Sequence, residues 1–457
     1  MKNYLLIPLL LAGCSLSPDY TRPDLSLPGS WQNQIGEQQV VQNFWAGFND
    51  PQLEKLVAQA LAANQDLAAG AARVEQARAV AQIADSDLYP QLSAGADLNR
   101  SFANPVTGGQ RGAANDSRAT LSLSYEVDFW GRIRDGANAA DARALGSEYD
   151  YKTLALITAA DTASNYIRYL ADSARLTVAE NTRRDVADTA RLTEARYQAG
   201  VLSSVESNQQ KIQLANQDAA IAALRAQVNA DLTALAILTG VPAGTLKLDA
   251  APFDRLQPSL ITIRKPSELL DRRPDILSAE QQLRASNYDI GVVRASFLPS
   301  LSIGADAGLI GLLPDDTMSS TLQLGASVLQ PIFTGGALTG QLNQANAARA
   351  EQTATYRQTV LTATKEVEDA IAYLNSDITR AEAFGCARDA SQAAFGAIRA
   401  RYDVGSIDQL TLLQAERDLF SSQDSAISAR ADQLTSLITL WRTTGGTQDF
   451  GLENKSR

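Results

Sequence analysis

The sequence predicts an α+β membrane protein in which membrane-crossing β-strands alternate with long antiparallel helices. Three observations predict it. Four segments alternate apolar and polar residues over about ten positions each, the length of a tilted spanning strand. Two stretches, 144–199 and 345–404, hold three glycines and no proline between them. The second half of the chain repeats the first.

The strands come first. Leu92, Ala94, Ala96 and Leu98 share one face, with Ser93, Gly95, Asp97 and Asn99 on the other. Leu121, Leu123, Tyr125, Val127 and Phe129 alternate with Ser122, Ser124, Glu126 and Asp128. Leu301, Ile303, Ala305, Ala307 and Leu309 alternate with Ser302, Gly304, Asp306 and Gly308, and Leu322, Leu324, Ala326 and Val328 with Gln323, Gly325 and Ser327. Successive side chains of a strand point to opposite faces, so each segment presents one face to lipid and one to water. Charges at Asp97, Glu126, Asp128 and Asp306 suit a water-filled lumen; half-exposed hairpins on a soluble protein are the competing reading. The polar segments Ala103–Ser117 and Ile310–Ser320 are expected as long loops.

Four strands cannot close a barrel, which needs about eight. An open sheet edge in hydrocarbon leaves backbone groups unpaired, at several kcal/mol each. The barrel must therefore be shared between chains. Two would give eight strands and three twelve; strand arithmetic does not choose, although eight leave almost no lumen. Beyond the N-terminus no uninterrupted apolar run reaches spanning length, so helical spans are not expected.

The helices follow the strands. Residues 144–199 would reach about 84 Å at 1.5 Å per residue. Leu154, Ile157, Ala160 and Ala163, then Ile212, Ala215, Ala219 and Ala222, form stripes suited to antiparallel coiled-coil packing. Asn49-Asp50-Pro51 and Arg273-Pro274-Asp275 read as helix starts, and Gly240 before Pro242 as a stop.

The duplication is explicit. Residues 88–97, LYPQLSAGAD, match 297–306, FLPSLSIGAD, at an offset of 209; RYQAG at 196–200 matches RYDVG at 401–405 at an offset of 205. The expected organisation is a first repeat at 49–242, a linker at 243–268, a second repeat at 269–445 and a polar tail at 446–457. Gly200 and Gly405 end the two long helices at equivalent positions and are expected to form two tips, where glycine permits the left-handed reversal.

Composition narrows the function. The chain has no histidine, two cysteines and a net charge of −11. Triad hydrolysis and histidine metal sites are impossible, and a nucleic-acid surface is disfavoured. No catalytic constellation, metal site or cofactor is expected. At the N-terminus, Lys2 and the apolar run to Leu11 precede Leu11-Ala12-Gly13-Cys14. This resembles a lipoprotein signal over residues 1–13, with Cys14 as the lipid anchor, 14–48 as an anchored extended segment, and Ser15 favouring the outer membrane.

Residues 269–276, LLDRRPDI, with Ala279-Glu280, Leu283, Ile290-Gly291 and Phe297-Leu298-Pro299, resemble the most diagnostic stretch of the TolC/OprM-like outer membrane factors. Residues 14–20, CSLSPDY, with Arg22-Pro23 resemble the start of that family's lipoprotein, NodT-type branch, and DPQL at 50–53 with NQDL at 64–67 its first-helix pattern. The resemblance implies a homotrimer with one twelve-stranded outer-membrane barrel continued by a twelve-helix periplasmic α-barrel. It implies a periplasmic membrane-fusion adaptor and an inner-membrane transporter, of RND type, as partners, and passive export of drugs or other small toxic compounds without enzymatic activity. The tips Gly200, Val201, Leu202, Ser203, Gly405, Ser406, Ile407 and Asp408 would meet the adaptor. Family members narrow just inside the second tip through an apolar and an acidic ring. Leu410 matches the apolar position, Gln414 stands where close relatives carry aspartate, and Asp408 is the nearby carboxylate that could serve instead. A helix-start aspartate is the simpler reading of Asp408, and Arg272 and Arg273 are expected to bond nearby carbonyls or acids. A type I secretion channel and a non-channel periplasmic scaffold remain the alternatives.

Overall fold

The computed structural model describes residues 15–33, 44–103, 112–248, 252–257, 263, 265–313 and 317–446. The expected signal at 1–13, the anchor Cys14 and the tail from 447 lie outside the described residues.

Helix α1 (Pro51–Ala63) starts as expected: Asp50 Oδ1 accepts from the Gln52 and Leu53 amides at 2.8 and 3.3 Å, and Pro51 lacks an amide there to satisfy. It stops at Asn64, whose own Oδ1 accepts from Asp66 N and Leu67 N at 2.9 and 3.1 Å and opens α2 (Gln65–Ser86). The single leading helix expected in the first repeat is thus two helices, because an Asx side chain competes with the helical ladder.

Strands β1 (Gln91–Ala103), β2 (Gly112–Val127), β3 (Ser300–Leu313) and β4 (Thr317–Leu329) form one antiparallel sheet in the order β1-β2-β3-β4. Leu92 pairs with Leu123, Tyr125 with Ile303 and Leu301 with Val328, so the four apolar sets share one face. Asp306 lies between Ser122 and Gln323 on the polar face. The strands run further than alternation implied. β2 begins at Gly112, inside the expected 103–117 loop, and β3 and β4 reach Leu313 and Thr317, inside the expected 310–320 loop. Ladder bonds need only backbone, so polar partners such as Asn99 and Asp116 extend the sheet. At its other end β2 stops at Val127, which leaves Phe129 outside the strand. Asp128 instead accepts from Ile133 N and Arg134 N at 3.1 and 2.9 Å and starts a helix.

That helix, α3 (Arg132–Gln198), has 67 residues, and so does α6 (Ala337–Asp403); α4 (Ser204–Leu238) and α7 (Gln409–Thr443) have 35 each. The remaining helix, α5 (Pro274–Ala295), opens on Pro274. α3 begins before the expected Ala144 and passes through Gly136 and Gly146. A Cβ at 146 would sit 3.0 Å from Gln282 Nε2, the movable end of an α5 side chain. α4 ends as expected, with Gly240 at φ 71°. Contrary to expectation, α4 is long and apolar enough by length and composition to cross a membrane. Its buried Gln217 donates to Ala179 O of α3 at 3.1 Å, so protein partners satisfy its polar side.

The chain divides into two compact units, each built from both repeats. The first unites 1–25, 72–148 and 278–358. It holds the sheet and alanine seams such as Ala139, Ala142 and Ala285, with Tyr288 against them. Along α3 and α5 its N-terminal segment lies extended: Ser15 Oγ donates to Asp135, and Arg22 Nη2 to Glu280 Oε2 at 2.6 Å. The second unites 26–71, 149–277 and 359–457. Its core is aromatic: Trp441 stacks on Phe44 at 5.3 Å and meets Trp45 edge-on at 4.6 Å. Nearby, buried Tyr166 donates to Asp50 Oδ2 at 2.9 Å, so one aspartate caps α1 and satisfies a core hydroxyl.

Candidate functional site

The two tips lie together at one end of the second unit's helices. In the first, Gly200 at φ 73° lets Gly200 N donate to Tyr197 O and Val201 N to Arg196 O, each at 2.9 Å. In the second, Gly405 at φ 77° gives the same pair of bonds, to Tyr402 O and Arg401 O, both 2.9 Å. These are helix-ending turns that a side chain at the glycine would strain. After each turn a polar side chain restarts the helix. Ser203 forms a capping box with Glu206, and Asp408 Oδ1 accepts from Thr411 N at 2.8 Å. The Thr411 hydroxyl, and then its amide, hold the Asp408 carboxyl below its ordinary range.

All eight expected tip residues therefore fall in the two turns and their caps. Between the turns runs a groove of about 630 Å³ lined by Leu202, Ile407, Asp408 and Leu410 among others. Arg196 spans it, with its guanidinium 5.7 Å from the Tyr402 ring centre. Val201 is 70% exposed and Leu410 64%, so apolar side chains stand in water at the extremity.

The three expected gate residues are spread over two grooves, with Leu410 common to both. Leu410 and Gln414 line a second groove, of about 700 Å³, between α6 and α7, together with Ala394, Ile398 and Asp418. Asp408 lies in the groove between the turns. Gln414 Nε2 donates to Asp418 Oδ1 at 2.9 Å. Asp418, one helical turn beyond Gln414, lines the same groove. Arg273 is buried and bonds Asp275, Glu366 and Thr443 O, the local structural role expected of it. Among the described residues no group of three or more acidic or cysteine side chains could hold a metal ion.

A sheet with one apolar face, joined in duplicate to long helical hairpins, defines a transport protein that crosses a membrane on β-strands. The chain belongs to the outer membrane efflux protein family, which it matches over residues 56–241 and 265–446. It is 32% identical to the pyoverdine export outer membrane protein OpmQ of Pseudomonas aeruginosa, over 98% of this chain and 97% of that one. It is 31% identical to the toluene efflux pump outer membrane protein TtgC of Pseudomonas putida, over 96% and 93%. Among solved structures, the outer-membrane channel OprN superposes with a TM-score of 0.85 at 27% identity, over 95% of this chain and 99% of that one. The open state of the Neisseria gonorrhoeae MtrE outer membrane channel gives 0.83 at 26%, over 95% and 98%. The protein is an efflux channel component of the outer membrane with a large periplasmic part.

Proposed function

We propose that three copies of the chain form the exit duct of a tripartite efflux pump, through which drugs or other small toxic compounds pass passively. The observation that carries this reading is the sheet: β1 and β4 each have a strand neighbour on one side only. Their free margins need partners in lipid, and three copies supply twelve strands around a usable lumen. Twelve helices from α3, α4, α6 and α7 would continue the duct into the periplasm. A lipid on Cys14 adds a second anchor, and no cofactor is needed. The tips Gly200–Ser203 and Gly405–Asp408 dock a periplasmic adaptor, which links the duct to an energised inner-membrane transporter of RND type. Their exposed apolar side chains and rigid turns support that role. Leu410, Gln414 and Asp408 narrow the periplasmic end.

The test is the mass and conductance of the detergent-extracted protein. A particle of three chains that opens ion-conducting pores in planar bilayers is expected. A folded single-chain particle without conductance would refute the reading.

A further inference from the structure

The seam that seats α7 changes character along its length. Far from the tips it is apolar, with Ala426, Ala429, Leu434 and Leu437 all buried. Near the tips buried polar groups interrupt it. Gln409 Nε2 donates to Thr193 Oγ1 of α3 at 3.0 Å. Seven residues on, and so on the same face of the helix, comes Glu416. It is 4% exposed, and neither carboxylate oxygen has a hydrogen-bond partner. Buried Leu412 and Leu413 lie between the two.

The groups around Glu416 do not compensate its charge. Arg399 of α6 favours the carboxylate, but its Nη1 is also 3.9 Å from Asp185 Oδ1 of α3, and Asp185 opposes it. Thr189 of α3 gives some relief, yet its hydroxyl donates to Asp185 O of its own helix at 3.0 Å. On the α4 side, Gln213 accepts from Arg417 Nε at 3.1 Å. Burial therefore dominates and pushes the Glu416 carboxyl up to about 7.

We propose that Glu416 is a proton-operated lock: protonated, it lets the tip end of α7 seat against α3 and α6, and ionised, it drives that end toward water. Its bearing on transport rests on reading the tips as the channel's closable end. Seating raises the group's proton affinity. The seat is therefore fully stable below the ordinary glutamate value of 4.5 and weakens as pH rises through about 7. Alkaline conditions would open the tip end and acidic conditions would hold it shut.

The experiment compares the full-length protein with E416Q and D185N in detergent at steps of about 0.5 between pH 5.5 and 8.5. It reads amide hydrogen exchange over residues 409–418, corrected for the intrinsic rate. In the unaltered protein, opening should rise roughly tenfold or more between the two values. E416Q should stay protected at both. D185N, which removes an opposing charge and frees Arg399, should move the midpoint to lower pH even if E416Q fails to fold. An identical rise in E416Q, or a flat profile in the unaltered protein, would overturn the lock. So would an unmoved D185N midpoint. Bilayer currents on the same samples should increase with pH in the unaltered protein and in D185N, and stay flat in E416Q. Currents indifferent to pH beside a switching helix would overturn its control of the opening. A total lack of current would instead refute the channel reading, and exchange alone would then decide the lock.

Discussion

The two helical hairpins are alike in backbone and unlike in what they bury. Both pair a 67-residue helix with one of 35, turn on a left-handed glycine and restart on an oxygen-bearing cap. At the 205-residue offset, however, Trp441 in α7 answers to Ala236 in α4, and Glu416 answers to Lys211. Trp441 anchors an aromatic core, whereas Ala236 is buried without such stacking. Lys211 is mostly exposed and lies 3.3 Å from Glu194, whereas Glu416 is buried and unpaired. Duplication preserved the parts that set helix length and reversal. The side chains on the seams diverged, and they make the second hairpin the one held firmly at one end and conditionally at the other.

Four substitutions probe this contrast. Trp441→Ala should have the largest effect, about 3–5 kcal/mol lost from the second unit, read as a lowered denaturation midpoint. A loss below about 1 kcal/mol would mean the aromatic cluster is not what fixes that end of α7. Next, Gly200→Ala and Gly405→Ala should each cost about 1–2 kcal/mol, because both residues have positive φ and open space around them. Hydrogen exchange at the two turns should rise to the same extent; a clear inequality would break the equivalence of the tips. The smallest effect belongs to Lys211→Gln. Its pair is solvated, so the unfolding midpoint should match the unaltered protein at both pH 5.5 and 8.5. A pH-dependent change there would show that the contrast with Glu416 is wrongly drawn.

The features legible in the sequence were those set by short-range pattern. Leu92 to Leu98 announced a strand because alternation is local, and Asp50-Pro51 announced a helix start because capping involves neighbouring residues. The strand ends near Asn99 and Asp116 were not legible, since ladder pairing there is carried by backbone and not by side-chain alternation. The break at Asn64, whose side chain caps the next helix, was not legible either. Both turns were legible from Gly200 and Gly405, whereas the burial of Glu416 was not. An acid surrounded by Leu412, Leu413 and Ala415 looks ordinary until α3 and α6, distant in the chain, close over it.

The bare flanks of the β1–β4 sheet also dictate how the protein can be made. A lone subunit entering the bilayer would carry two rows of thirsty amides and carbonyls into oil. With three copies joined as proposed, insertion would coincide with that joining or follow it, and until then the two margins would be open to wrong pairing.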